Sequence, residues 1–196
     1  MVALAENILN NPQKKISQLE LISEKEKKEL IALNNSKPNY PQNKTIHKLF
    51  EEQVQKTPNN IATVFEGEKL TYKELNQKAN QLAHYLIKQK IKKEEIVSII
   101  LDNSPELVVS MLAVLKAGGA FVLIDKDTPK IRIDKIVESA SARIIINNSA
   151  LFKKQREISK QKKINPELNI QPNNLSNILF TSSTTGESKG VMLEHR

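Results

Sequence analysis

From Ile96 onward the chain alternates short apolar runs with segments of helical period, and this limits its folds more than any other feature. "IVSIILD" (96–102) is apolar and rich in β-branched residues. "NSPELVVSMLAVLKAGG" (103–119) follows, with Ser104 at the N-cap, Pro105 at the first helical position and Gly118 just past the end. "AFVLID" (120–125) is apolar again, which completes a strand, helix, strand unit. The theme continues with "TPKIRIDKIVESA", where Ile131, Ile133, Ile136 and Val137 mark a further helix, then "ARIIINN" as a third buried strand and "LSNILFTS" as a fourth. Uniformly apolar strands separated by helices predict an α/β fold, a mostly parallel sheet with flanking helices joined by right-handed crossovers.

The segments before this core are more polar. Ile46, Leu49, Phe50 and Val54 share one face of a predicted surface helix that ends before Pro58. "IATVFEGEKLTY" alternates around Glu66-Gly67 as a hairpin should, and Thr71 with Glu74 has the capping-box spacing for a helix beginning at Tyr72. Residues 1–43 are rich in Asn and Lys. Ser23 and Glu26 there cap a short predicted helix, and "SKPNYPQN" reads as a linker. The basic stretch "KKQREISKQKKINPELNIQPNN" reads as a solvated connection. It lacks interleaved aromatics and a groove-reading motif, so no specific nucleic-acid partner is expected despite the net charge of +8. Lys116 is expected to extend its ammonium from a helix end.

Composition removes several classes of function. With no cysteine, disulfides, Cys-ligated zinc and thiol catalysis are excluded. No apolar run approaches the roughly 20 residues that span a bilayer, and the N-terminus forms no signal-peptide core, so a cytoplasmic protein without a membrane partner is expected. His47, His84 and His195 share no spacing, and no metal site is assigned to them.

The chemistry concentrates in "TSSTTGESKG" (181–190). Hydroxyls, glycines and one lysine behind an apolar strand offer backbone N–H groups, O–H donors and an ammonium to a polyphosphate. The same residues also make ordinary turns, but ligands of parallel sheets bind beyond the carboxyl ends of strands, where this loop falls. It is not a Walker A loop, because Gly186 lies three residues before Lys189 and a glycine follows the lysine. A dinucleotide fingerprint is also absent, since the glycines of "AGGA" lie between a helix and a strand.

Three ordered motifs carry a family resemblance. "ILFTSSTTGESKGVMLEHR" closely resembles the phosphate-binding signature of adenylate-forming enzymes, specifically the adenylation domains of nonribosomal peptide synthetases. "LTYKEL" (70–75) and "LKAGGAFVLID" (115–125) resemble the first two core motifs of that family. The leading segment is similar to the junction behind a condensation domain. The resemblance implies residues 1–43 as a condensation-domain tail and linker, and 44–196 as the N-terminal part of an adenylation domain. It implies ATP and Mg²⁺ as cofactors, an amino-acid substrate, and condensation and carrier-protein partners, the carrier bearing phosphopantetheine. Thr181, Ser182, Ser183, Thr184, Thr185, Gly186, Lys189 and Gly190 align with the phosphate loop. No catalytic residue is assigned in this stretch. Ser183 replaces a family glycine, and Ser188, Leu123 and Lys126 replace family prolines, which implies altered phosphate binding and relaxed constraint. The later family motifs, including the lysine that contacts the substrate carboxylate, are absent, so the chain alone is expected to be inactive. Two other readings stay open: part of an acyl-CoA or aryl-acid ligase, and a degenerate non-catalytic remnant.

Overall fold

The computed structural model describes residues 2–10, 12–18, 21–34, 41–181 and 189–196. They divide into two compact units, Met1–Tyr40 and Pro41–Arg196. The first holds helix α1 (Val2–Asn10), a single 3-10 turn and helix α2 (Glu24–Asn34). α1 lies in a stretch whose composition announced no helix. α2 starts as its cap residues predict: Ser23 Oγ accepts the Glu26 N–H at 3.2 Å, and the Glu26 carboxylate accepts the Ser23 N–H at 2.8 Å.

The second unit opens with helix α3 (Ile46–Lys56) and the hairpin β1 (Ile61–Phe65) and β2 (Glu68–Thr71). Glu66 and Gly67 turn that hairpin with φ of 47° and 88°, the doubly left-handed geometry that suits a two-residue connection. Next come α4 (Tyr72–Lys88), β3 (Ile96–Ile100), α5 (Pro105–Lys116), β4 (Ala120–Leu123) and α6 (Lys130–Ser139). The chain continues through β5 (Ile144–Asn147), α7 (Asn148–Ser159), β6 (Leu175–Thr181) and β7 (Lys189–Glu194). The sheet order is β5-β3-β4-β6-β7. β5, β3, β4 and β6 run parallel, and β7 closes the edge antiparallel to β6. The α/β prediction therefore holds.

Two apolar layers form because successive side chains of a strand point to opposite faces. Val97, Ile99, Phe121 and Ile146 join α4 and α5 in one core through Leu75, Leu82, Leu86, Val109 and Leu112. Val122, Ile124 and Ile178 face the other way, onto Ile136 and Ala140 of α6. Of the four apolar residues predicted for α6, Ile131 instead lies 75% exposed.

The basic stretch expected to be a solvated connection exposes all its lysines and its arginine, but it is not all connection. Its first part belongs to α7, whose Leu151 and Ile158 pack on the first core. The chain after α7 hangs on α4: Asn80 Nδ2 donates to Lys163 O at 2.8 Å, Gln81 Nε2 to Ser159 O at 2.6 Å, and His84 Nε2 lies 3.0 Å from Ile164 O. Side-chain amides substitute for a regular ladder, so no periodic pattern announces the attachment.

Candidate functional site: the carboxyl edge of the sheet

The parallel strands β3, β4 and β6 end on one edge of the sheet, and antiparallel β7 begins there. Thr181, the last residue of β6, pairs with Lys189, the first of β7. The Thr181 hydroxyl donates to Lys189 O at 3.5 Å, and both residues are exposed. Among the described residues the Lys189 ammonium has no acidic partner. Gly190 is the next strand residue. A Cβ there would lie 3.0 Å from Ile178 Cγ2 and 3.2 Å from the Phe180 ring, so the glycine leaves room for that ring. Ser182, Ser183, Thr184, Thr185 and Gly186 lie outside the described residues, as does Ser188.

On the same edge, the ends of β3 and β4 frame a cleft of about 290 Å³ lined by Asp102, Asn103, Asp125, Lys126 and Asp127 over an apolar floor that includes Ile99 and Leu107. Lys126, just beyond β4, reaches Asp102 beyond β3 at 2.9 Å. The hydrogen bond to Asp102 raises the Lys126 ammonium above its usual range. Both partners are about half exposed, so solvent screens the bridge and it adds little stability. Leu123 ends β4 with a partly exposed side chain.

The glycines before β4 differ in role. Gly118 adopts φ +82° just beyond α5, the left-handed position that ends a helix. Gly119 is limited by space, since a Cβ there would lie 2.7 Å from Ile91 Cδ1 and 2.9 Å from Glu95 O. Lys116 does not extend outward. Its side chain is fully buried, with Nζ 2.6 Å from Glu51 Oε1 on α3 and 3.2 Å from Asn165 Oδ1. The same Asn165 oxygen accepts from Asn76 and Asn80 of α4, and Lys48 holds the second oxygen of Glu51 at 2.9 Å. Burial pushes the Glu51 carboxyl up, but the two ammonium groups outweigh it and hold it below the usual carboxylate range.

The structure also brings together two of the histidines that sequence spacing left scattered. His47 of α3 and His195, just after β7, are both buried, with ring centroids 5.5 Å apart in an edge-to-face arrangement. They lie 148 positions apart in a chain whose only local cue was an apolar helix face, so no spacing rule could pair them. Burial lowers the His47 pKa to about 4 and lowers that of His195. Among the described residues, no cluster of three His, Cys, Asp or Glu side chains is arranged for a metal ion, and no helix is long and apolar enough to cross a membrane.

The described part of this edge is the Thr181–Lys189 pair at the carboxyl end of a parallel sheet, and comparison gives the chain a family. The model for "AMP-binding enzyme" matches residues 50–196, and the chain belongs to that family. Its relatives are nonribosomal peptide synthetases. Gramicidin S synthase 1 of Brevibacillus brevis is 45% identical over 185 residues, covering 87% of this chain and 17% of that protein. The N-terminal subdomain of NpsA from Klebsiella oxytoca, solved with 3-hydroxyanthranilyl-AMSN, superposes with a TM-score of 0.70 at 29% identity, covering 78% of this chain and 41% of that one. The synthetase FmoA3, in its α-methyl-L-serine-AMP-bound form, gives a TM-score of 0.72 at 25% identity over 80% of this chain and 18% of its own. The chain thus spans under a fifth of the length of the synthetase it matches at 45% identity. What it matches is the N-terminal part of an adenylation domain.

Proposed function

We propose that this chain supplies the phosphate-binding wall of an adenylation domain, in which a carboxylate substrate attacks the α-phosphate of ATP to give an acyl adenylate and pyrophosphate. The observation that carries the reading is the exposed Lys189, backbone-paired to Thr181 at the carboxyl edge of the parallel sheet. In this reading Thr181, Ser182, Ser183, Thr184, Thr185, Gly186, Lys189 and Gly190 form the loop that holds the ATP phosphates. Lys189 contributes a point charge, and the hydroxyls and backbone N–H groups contribute donors. The protein does little covalent work in such a reaction; it orients the reactants and neutralises charge. Mg²⁺ accompanies the nucleotide. Residues 1–43 then belong to the junction with a condensation domain, and the product acyl group passes to phosphopantetheine on a carrier protein.

The substrate is taken as an amino acid, after the synthetase relatives. NpsA, solved with an aryl-acyl ligand, makes an aryl acid the second reading. The test is carboxylate-dependent exchange of labelled pyrophosphate into ATP by a complete adenylation domain carrying this segment, offered amino acids and aryl acids in parallel. Lys189→Ala should lower exchange by about 10²-fold, the scale of losing one preorganised electrostatic contact. Unchanged exchange in that variant would overturn the role of the loop. Exchange with aryl acids alone would replace the amino acid as substrate.

A further inference from the structure

We propose that His47 and His195 form a latch that holds strand β7, and with it Lys189, in place, and that the latch closes only while both rings are neutral. That Lys189 then serves a phosphate rests on the reading above; the latch itself does not.

β7 is an edge strand, and every residue from Lys189 to Glu194 is exposed. Its hydrogen bonds go to β6. The first side chain after it that enters the protein is His195, 8% exposed. The His195 N–H donates to Asn174 O, just before β6, at 3.2 Å. Its ring reaches further: Nδ1 accepts the backbone N–H of Ile46 at 3.3 Å.

Ile46 is the first residue of α3, and its N–H is one of those a helix cannot satisfy internally. Thr45 stands at the N-cap but makes no side-chain cap. Its hydroxyl lies 3.2 Å from His47 Nε2 instead. A ring 149 positions away therefore caps α3, and His47, 3% exposed, packs edge-to-face against that ring. The strand that begins at Lys189 is thus pinned at its far end to the start of another helix.

This geometry requires neutral rings. Since His195 Nδ1 accepts, its single proton sits on Nε2. A second proton on Nδ1 would face the Ile46 N–H donor to donor, and the cation would stand at the positive end of α3. Around His47, burial is the largest influence against the charged form, and His195, Lys116 of α5 and Lys48 act with it, while Glu51 one turn along α3 opposes them. For His195, burial is the cause of the lowered pKa. His47 Nδ1 and His195 Nε2 are buried without a hydrogen-bond partner, so protonating His47 leaves more unpaired polarity in the interior.

The test uses the full chain and two independent readings. Amide hydrogen exchange of Val191–Leu193, referenced to α5 to remove the intrinsic pH effect, reports the latch; ATP affinity reports what the latch positions. His195→Phe keeps a ring but loses the acceptor, and should raise β7 exchange at least tenfold at pH 7.5 and weaken ATP binding about tenfold. His195→Asn restores an acceptor, and should recover most of both. Acidifying the unmodified chain from pH 7.5 to 5 should reproduce the His195→Phe pattern without any substitution, which covers the case of a variant that does not fold. Unchanged β7 exchange in His195→Phe and on acidification would overturn the latch. Raised exchange with unaltered ATP affinity would overturn its positioning role. If the unmodified chain binds no ATP, the phosphate reading fails, and exchange alone still decides the latch.

Discussion

Lys116 shows how far a single residue can depart from its local context. At the end of an amphipathic helix a lysine is expected to carry its charge to water, yet this ammonium is fully buried against Glu51 and Asn165. Removing the Lys116 ammonium leaves the buried Glu51 carboxylate to the half-exposed Lys48 and one of its oxygens without its ion pair. Lys116→Met should therefore cost about 3–5 kcal/mol, read as a lower urea midpoint. Lys116→Met combined with Glu51→Gln should recover part of that loss, because no buried charge then lacks its partner. The two adjacent glycines separate backbone conformation from space. Gly118→Ala should cost on the order of 1–2 kcal/mol for its left-handed backbone, with ordinary clearance of 3.8 Å around the new methyl. Gly119→Ala should cost more, because the backbone oxygen of Glu95 at 2.9 Å cannot move aside without disturbing β3. Thermal unfolding of the two variants side by side checks the order.

At the scale of elements, the helices of the core begin where their caps say they should. Thr71 Oγ1 accepts the Glu74 N–H at 3.2 Å and the Glu74 carboxylate accepts the Thr71 N–H at 2.9 Å, while Ser104 and Asn147 cap α5 and α7. Thr71→Ala should cost about 1 kcal/mol, measured by chemical denaturation. α3 and α6 lack a side-chain cap of their own: Pro129 precedes α6, while at α3 the N-cap threonine is engaged by His47 and the cap arrives from His195. Thr45→Ala should then change stability by less than Thr71→Ala, although threonine stands at the N-cap in both helices. The attachment of α7 and the chain behind it has no sequence signal for a related reason, although their basic side chains are exposed as expected. Their apolar residues are few, and the attachment is made by Asn76, Asn80, Gln81 and His84 of α4, polar residues whose partners are backbone carbonyls and one asparagine.

For the whole molecule, acidity should act through the interior. A buried histidine with a folded pKa of about 4, against 6.5 when unfolded, disfavours the protonated native state. Its contribution is intact above pH 6.5 and shrinks as the pH falls toward 4, by about 3 kcal/mol for His47. Glu51, Glu94 and Glu95, whose carboxyls are held below 4.5, add losses of the same sign at still lower pH. Urea midpoints between pH 7.5 and 4 should fall steadily, and His47→Phe should flatten the upper part of that slope.

Local physics settled the parallel α/β core from the sequence alone. Apolar strands, capped helices and turn glycines act within a few residues of one another, so their signals stand side by side in the chain. The run of hydroxyls, glycine and lysine behind β6 is local for the same reason, and its centre, 182–188, lies outside the described residues. Only the tertiary structure decided that Lys116 is buried, that residues 159–165 hang on α4, and that His195 caps α3. Each of these depends on polar groups satisfying one another across long separations in sequence. Such a pairing has no period, and burial makes it obligatory only after the strands and helices have brought the partners together.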